Sequence, residues 1–244
     1  MNSYNVMARK DLDKWKKAMR KNPSIIERAS KGVQNKFNEV LPQKYHEIMT
    51  QAIKSMTKSV LFGYKYITKN PYKNISLKER EILVAQKTKT YKTTARIEGA
   101  STGAAGILIG LTDLPLLLGI KIKLLYDIAA IYGYDVSDYR ERIYILHILQ
   151  LAFSSKKNMN ETFYKMENWD EYVKTFPDNI NEFDWQNFQQ QYRDYLDLAK
   201  FFQLMPGVGA FVGFYVNGKL IDRLSETAIF SYRMRSIELN SRSI

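Results

Sequence analysis

From Ala100 to Ile120 the chain carries one charged side chain, Asp113, and this stretch constrains the fold more than any other. Taken whole it has the length of a membrane span, which needs about 20 apolar residues. Its middle argues against that use. A carboxylate at the bilayer centre costs roughly 2.5–3.5 kcal/mol on insertion scales. Pro115 lacks a backbone donor and disfavours helix at Leu114. Asp113-Leu114-Pro115 therefore reads as a break, with Asp113 capping a new helix and Pro115 in its first turn. The expectation is a helical hairpin rather than one span. A second apolar segment, Leu204 to Val216, is too short to cross a bilayer.

Both segments are rich in glycine at one spacing. Gly99 and Gly103 are four apart, as are Gly106 and Gly110, and Gly209 and Gly213. A glycine costs a helix about 1 kcal/mol relative to alanine. Close backbone approach between two helices repays that cost. The central and C-terminal segments are therefore expected to pack on each other or on a common neighbour.

The remaining periodicity is helical. Leu12, Trp15 and Met19 predict a short amphipathic helix from Asp11 to Lys21, which Asn22-Pro23 interrupts. Two further apolar patterns follow, through Ile25 to Val40 and Tyr45 to Tyr64, ending at Asn70-Pro71. Ser76 and Glu79 form a capping-box signature, opening a helix to about Ile97. The Thr- and Tyr-rich stretch from Lys87 to Thr94 also fits a short strand. Gly133 sits where a helix needs a left-handed terminator. Asp135 or Asp138 can cap the next helix, through Phe153. Residues 154–183 read as loop or short helices. Asp184 caps a helix to Phe202, and Pro206-Gly207 opens a long one to about Arg235. The prediction is one all-α domain over residues 1–244, a multi-helix bundle around the broken hairpin. It divides into a basic part, 1–98, and the part that holds the glycine-rich segments, 99–244.

Charge divides along the chain. The formal net charge is +12. Residues 1–100 hold 22 Lys and Arg against 8 Asp and Glu, and the rest is slightly acidic. Such asymmetry points to an anionic partner or to a solvated lysine-rich surface. Nucleic acid is disfavoured, because the lysines are scattered and no helix-turn-helix, RNP or finger pattern occurs. An anionic membrane surface fits better, with Trp15, Tyr64 and Tyr66 as interfacial aromatics. The absence of cysteine excludes disulfides and thiolate metal sites. With no apolar core near its N-terminus, the chain is expected in the cytoplasm, peripheral at the inner membrane face.

Catalytic signals are weak. Gly99-Ala100-Ser101-Thr102-Gly103 matches G-x-S-x-G, which needs a strand before it and a helix after it. Ser101 would need a histidine, and only His46 and His147 exist. Both read as structural. Asp113 and Asp127 stand in apolar context. Asp113 reads as a cap, and Asp127 as a partner for Arg223, Arg233 or Arg235. A hydrolase near Ser101, Asp113 and Asp127 is the enzymatic alternative, and an apolar-ligand module between the glycine-rich segments is another. No metal spacing and no cofactor motif is present.

The run GASTGAAGILIGLTDLPLLLGIKIKLLYDIAAIYGYD resembles the central signature of EcsC-family proteins: a Gly-rich helix, an Asp-Leu-Pro turn, and a helix ending in Tyr132-Gly133-Tyr134-Asp135. A second block, MPGVGAFVGFYVNGKLIDRLSETAIFSYRMRSI, is similar to the family's C-terminal block at Pro206, Gly209, Asn217, Tyr232 and Arg235. The family takes its name from a protein encoded beside the subunits of a bacterial ABC transporter. The expected function is a non-enzymatic accessory or regulatory protein associating peripherally with the cytoplasmic membrane face or an ABC transporter; the resemblance itself implies a bacterial cytoplasmic protein working at the inner membrane face. It transfers no catalytic residues.

Overall fold

The computed structural model describes residues 3–21, 54, 57–62, 70–104, 114–154, 156–184, 186–188 and 209–242. Among them every regular element is a helix, as the periodicity predicts. The long ones are α1 (Ser3–Arg20), α2 (Leu77–Ala104), α3 (Leu114–Tyr132), α4 (Tyr139–Phe153), α5 (Lys156–Glu167) and α7 (Gly209–Arg242), with the single turn α6 (Trp169–Tyr172) between α5 and two 3₁₀ turns. His46, Tyr64, Tyr66, Gly106, Gly110, Asp113 and Pro206 lie outside the described residues.

Local chemistry sets the helix ends. Ser76 and Glu79 bond reciprocally, the Ser76 amide to Glu79 Oε2 at 2.7 Å and the Glu79 amide to Ser76 Oγ at 3.3 Å. That capping box launches α2. The helix continues past Ile97 to Ala104, through the Lys87–Thr94 stretch that also suited a strand and through Gly99 and Gly103. Its threonines tolerate this by bonding back onto carbonyls one turn earlier, as Thr90 does to Gln86 and Thr94 to Thr90. The division drawn at residue 98 therefore falls inside an unbroken helix.

Helix α3 begins at Leu114 with Pro115 in its first turn, where a missing donor costs nothing. At its other end Gly133 adopts φ +91°. Its amide donates to the Ala130 carbonyl and that of Tyr134 to the Ala129 carbonyl, both at 3.0 Å, a Schellman closure. The Tyr72 amide makes a second bond to the Ala130 carbonyl, and the Arg80 guanidinium donates to that of Ile131. Asp138, not Asp135, caps α4 by accepting from the Arg140 amide, while Asp135 accepts from Ser137.

The N-terminal helix is longer than predicted. Tyr4 and Ala8 extend the inward stripe of Leu12, Trp15 and Met19, and Ala8 and Leu12 are buried. Alanine is too small to register as an anchor in the sequence, yet it lets α1 sit close. Trp15 is not interfacial as expected. It stacks on Phe230 and meets Phe163 edge-on, with centroids 5.2 and 5.5 Å away, so it is held by the core.

The main contact is α2 against α7, with α3 packed on both. Glu81 faces Arg233, Thr88 faces Ser225, Lys92 faces Asp222, and the Arg96 guanidinium lies where a side chain at 218 would stand. Fifteen residues forward on α2 correspond to fifteen back on α7, so the pair is antiparallel. Helix α4 is buried on nearly all sides, and α5, α6 and the 3₁₀ turns cover it. No described helix is long and apolar enough to cross a membrane.

Candidate functional site

Three carboxylates sit along α2, α3 and α4, Asp127 and Glu141 buried and Glu81 partly buried. Burying a charge unpaired costs several kcal/mol, so each must be compensated. Glu81 receives a fork from Arg233, Nε at 2.8 Å and Nη2 at 2.7 Å. The Tyr4 and Tyr132 hydroxyls donate to the same carboxylate. Burial and this carboxylate push the Tyr4 hydroxyl up to about 12. Arg233 also donates to the Ala8 carbonyl, so this knot ties α1 to α2, α3 and α7.

The second knot lies two residues along α7. Arg235 Nη1 donates to Glu141 Oε2 at 2.7 Å, and the Tyr232 hydroxyl donates to Glu141 Oε1 at 2.7 Å. The Arg235 guanidinium lies over Tyr134 at 3.9 Å and Tyr144 at 4.4 Å, with Trp169 at 5.9 Å. Such cation–π contacts suit arginine, whose planar charge is weakly hydrated. Burial opposes the charge on Arg235, but Glu141, Tyr134 and Tyr144 outweigh it and hold its pKa above the ordinary arginine value. Burial and Glu141 together push Tyr232 well up, so it serves as a donor and not as a base.

The third carboxylate corrects an expectation. Asp127 pairs with none of the three arginines considered for it. Its Oδ2 accepts from the Tyr91 hydroxyl at 3.0 Å and lies 3.4 Å from Lys87 Nζ. Register explains the difference. Arg233 is level with Tyr132 at the end of α3, and Asp127 lies more than a turn earlier, opposite the Lys87–Tyr91 edge of α2.

Of the weak catalytic candidates, Ser101 lies on α2 and Asp127 on α3, and Asp113 lies outside the described residues. Ser101 lies on the last turns of α2, a helix, so the strand-to-helix elbow required by G-x-S-x-G is not formed. His147 is buried in α4 beneath the rings of Trp169, Tyr172 and Phe188, with centroids 5.7–5.9 Å away. Burial, and secondarily Lys165, lower its pKa to about 3, against a weaker opposing pull from Gln150. Among the described residues no cluster of His, Asp and Glu could hold a metal ion.

A model of the EcsC protein family matches residues 7–237. The chain belongs to the EcsC family. It is 40% identical to Protein EcsC of Bacillus subtilis (strain 168) over 96% of its own length and 97% of that protein's. It is also 29% identical to the uncharacterized protein YdbA of the same organism, over 61% of this chain and 55% of that one. No solved structure matches the chain.

The EcsC signature residues acquire physical roles from this geometry. Tyr132 and Tyr232 stack at 5.4 Å between the Glu81 and Glu141 knots. Gly133 supplies the positive φ that ends α3, and Arg235 fills the aromatic box. Gly209, Gly213 and Asn217 lie on the first turns of α7. Continued along the two helices, the α2–α7 register brings position 101 level with position 213. Glu81, Glu141 and Trp169 were not singled out by sequence pattern, and Tyr134 only as part of the Tyr-Gly-Tyr-Asp run. Glu141 left one signal, as the single carboxylate of a helix whose later residues are mostly apolar.

Proposed function

We propose that this EcsC-family protein is a non-enzymatic accessory protein that associates peripherally with an anionic membrane surface. The observation that carries the reading is a basic stripe along α1 and the residue that follows it. Lys10, Lys14, Lys17 and Lys21 recur at helical spacing and are exposed, while the opposite face, Ala8, Leu12 and Trp15, is fixed to the core. A rigidly mounted helix that turns its lysines outward meets an anionic surface without paying to order them first. Lys78 and Lys89 add exposed charge on α2. Association with a membrane transporter, which the family resemblance implies, would place the protein at the same surface.

Vesicle co-sedimentation tests this. Binding is expected to vesicles containing phosphatidylglycerol, to be absent from phosphatidylcholine alone, and to weaken with salt. Each lysine near such a surface contributes about 1 kcal/mol. Replacing Lys10, Lys14, Lys17 and Lys21 by Gln should therefore lower partitioning by up to about 1,000-fold. Equal binding to neutral and anionic vesicles, or none to either at low salt, overturns the reading.

A further inference from the structure

The stripe does not begin with a lysine. Val6 stands one turn before Lys10 on the same line, and Met7 stands beside it. Both are 52% exposed, as is Ile82 of α2 at 48%. Val6 and Met7 lie between Tyr4 and Ala8, and Ile82 follows Glu81, the residues through which α1 is joined to α2. The Tyr4 hydroxyl bonds Glu81, the neighbour of Ile82, and Arg233 joins that carboxylate to the Ala8 carbonyl. The first turns of α1 are thus clamped to α2, and the apolar side chains are presented rather than frayed. Arg9 and Lys10 on α1 and Lys78 on α2 are exposed around them.

We propose that Val6, Met7 and Ile82 form an apolar tip that enters the headgroup–acyl boundary of an anionic bilayer, while the α1 lysines engage the lipid phosphates beside it. The inference rests on the membrane reading above and adds where the protein inserts. Charge complementarity selects the occupant. Apolar side chains ringed by lysine and arginine match a layer that is anionic outside and hydrocarbon beneath. Lysines alone give adhesion that salt erases. Apolar insertion gives a component that salt leaves in place. A half-exposed side chain gains roughly fivefold in partitioning when its free half leaves water, so the Val6 and Met7 pair contributes on the order of 25-fold.

The chain has no cysteine, so Val6→Cys carries a fluorophore at one position only. Bound to phosphatidylglycerol vesicles, that label should be quenched by lipids brominated along the acyl chain. The unlabelled Val6→Ser/Met7→Gln variant should retain its helical circular dichroism and lose about 25-fold in partitioning at high salt. Vesicle binding with an unquenched label overturns the insertion and leaves the surface reading standing. Absence of binding to anionic vesicles overturns both. A dimer in light scattering that Val6→Ser/Met7→Gln dissociates would assign the tip to a second copy of the chain and overturn the insertion.

Discussion

His147 makes this protein sensitive to mild acid in a way that one substitution should remove. The imidazole is enclosed by Trp169, Tyr172 and Phe188, and burial holds its pKa at about 3. In the unfolded chain the value returns to about 6.5. A folded pKa below the unfolded one means that the unfolded state takes up the proton first. Stability is therefore complete above about pH 6.5 and falls as the pH drops toward 3. Between about pH 7.5 and pH 5 the loss is about 2 kcal/mol, at 1.36 kcal/mol per pKa unit. Any folded value below about 4 gives the same loss in this window, because the native histidine is then neutral throughout. Urea unfolding of the wild type and of His147→Leu at both pH values checks this. The wild type should lose about 2 kcal/mol more than the variant. Every other titratable group is common to the two proteins, so its contribution cancels in the comparison. Equal losses in the two proteins would refute the reasoning, since the enclosed imidazole would then be titrating as it does in water.

The Glu141–Arg235 knot should behave as a coupled unit. Arg235→Met leaves Glu141 buried without its cation and should cost about 3–5 kcal/mol by urea unfolding. Adding Glu141→Gln should recover part of that loss, and a strictly additive double variant would show that the charges do not interact. The α2–α7 register can be read chemically in the cysteine-free chain. Ser101→Cys with Gly213→Cys should form a disulfide on mild oxidation, because bridging needs Cα atoms within about 7 Å. The control pair, Ser101→Cys with Asp222→Cys, should not, and comparable cross-linking of both would refute the register.

Sequence and tertiary structure decided different things here. Helix starts and stops were legible because their causes are local. The Ser76–Glu79 box, Pro115 in a first turn and the positive φ of Gly133 each act within a few residues. The all-α class followed from the same short-range periodicity, and the family from two blocks of signature residues. Length was less legible. Helix α2 passes through a threonine-rich stretch that also suited a strand, because its packing on α7 outweighs β-propensity worth about 1 kcal/mol or less. Pairing of the buried charges was not legible at all. Asp127, Arg233 and Arg235 were visible as charges needing partners, but which faced which depended on how the helices had slid along one another. The offset of α7 along α2 places Arg233 on Glu81, the packing of α7 on α4 places Arg235 on Glu141, and that of α3 on α2 places Asp127 beside Lys87. The sequence by itself determined where helices form and which part of the chain is basic, since both are read from neighbours in the chain. Only the tertiary structure decided that Trp15 is core and the α1 lysines face outward, because burial depends on what arrives from elsewhere in the chain, here Phe163 and Phe230.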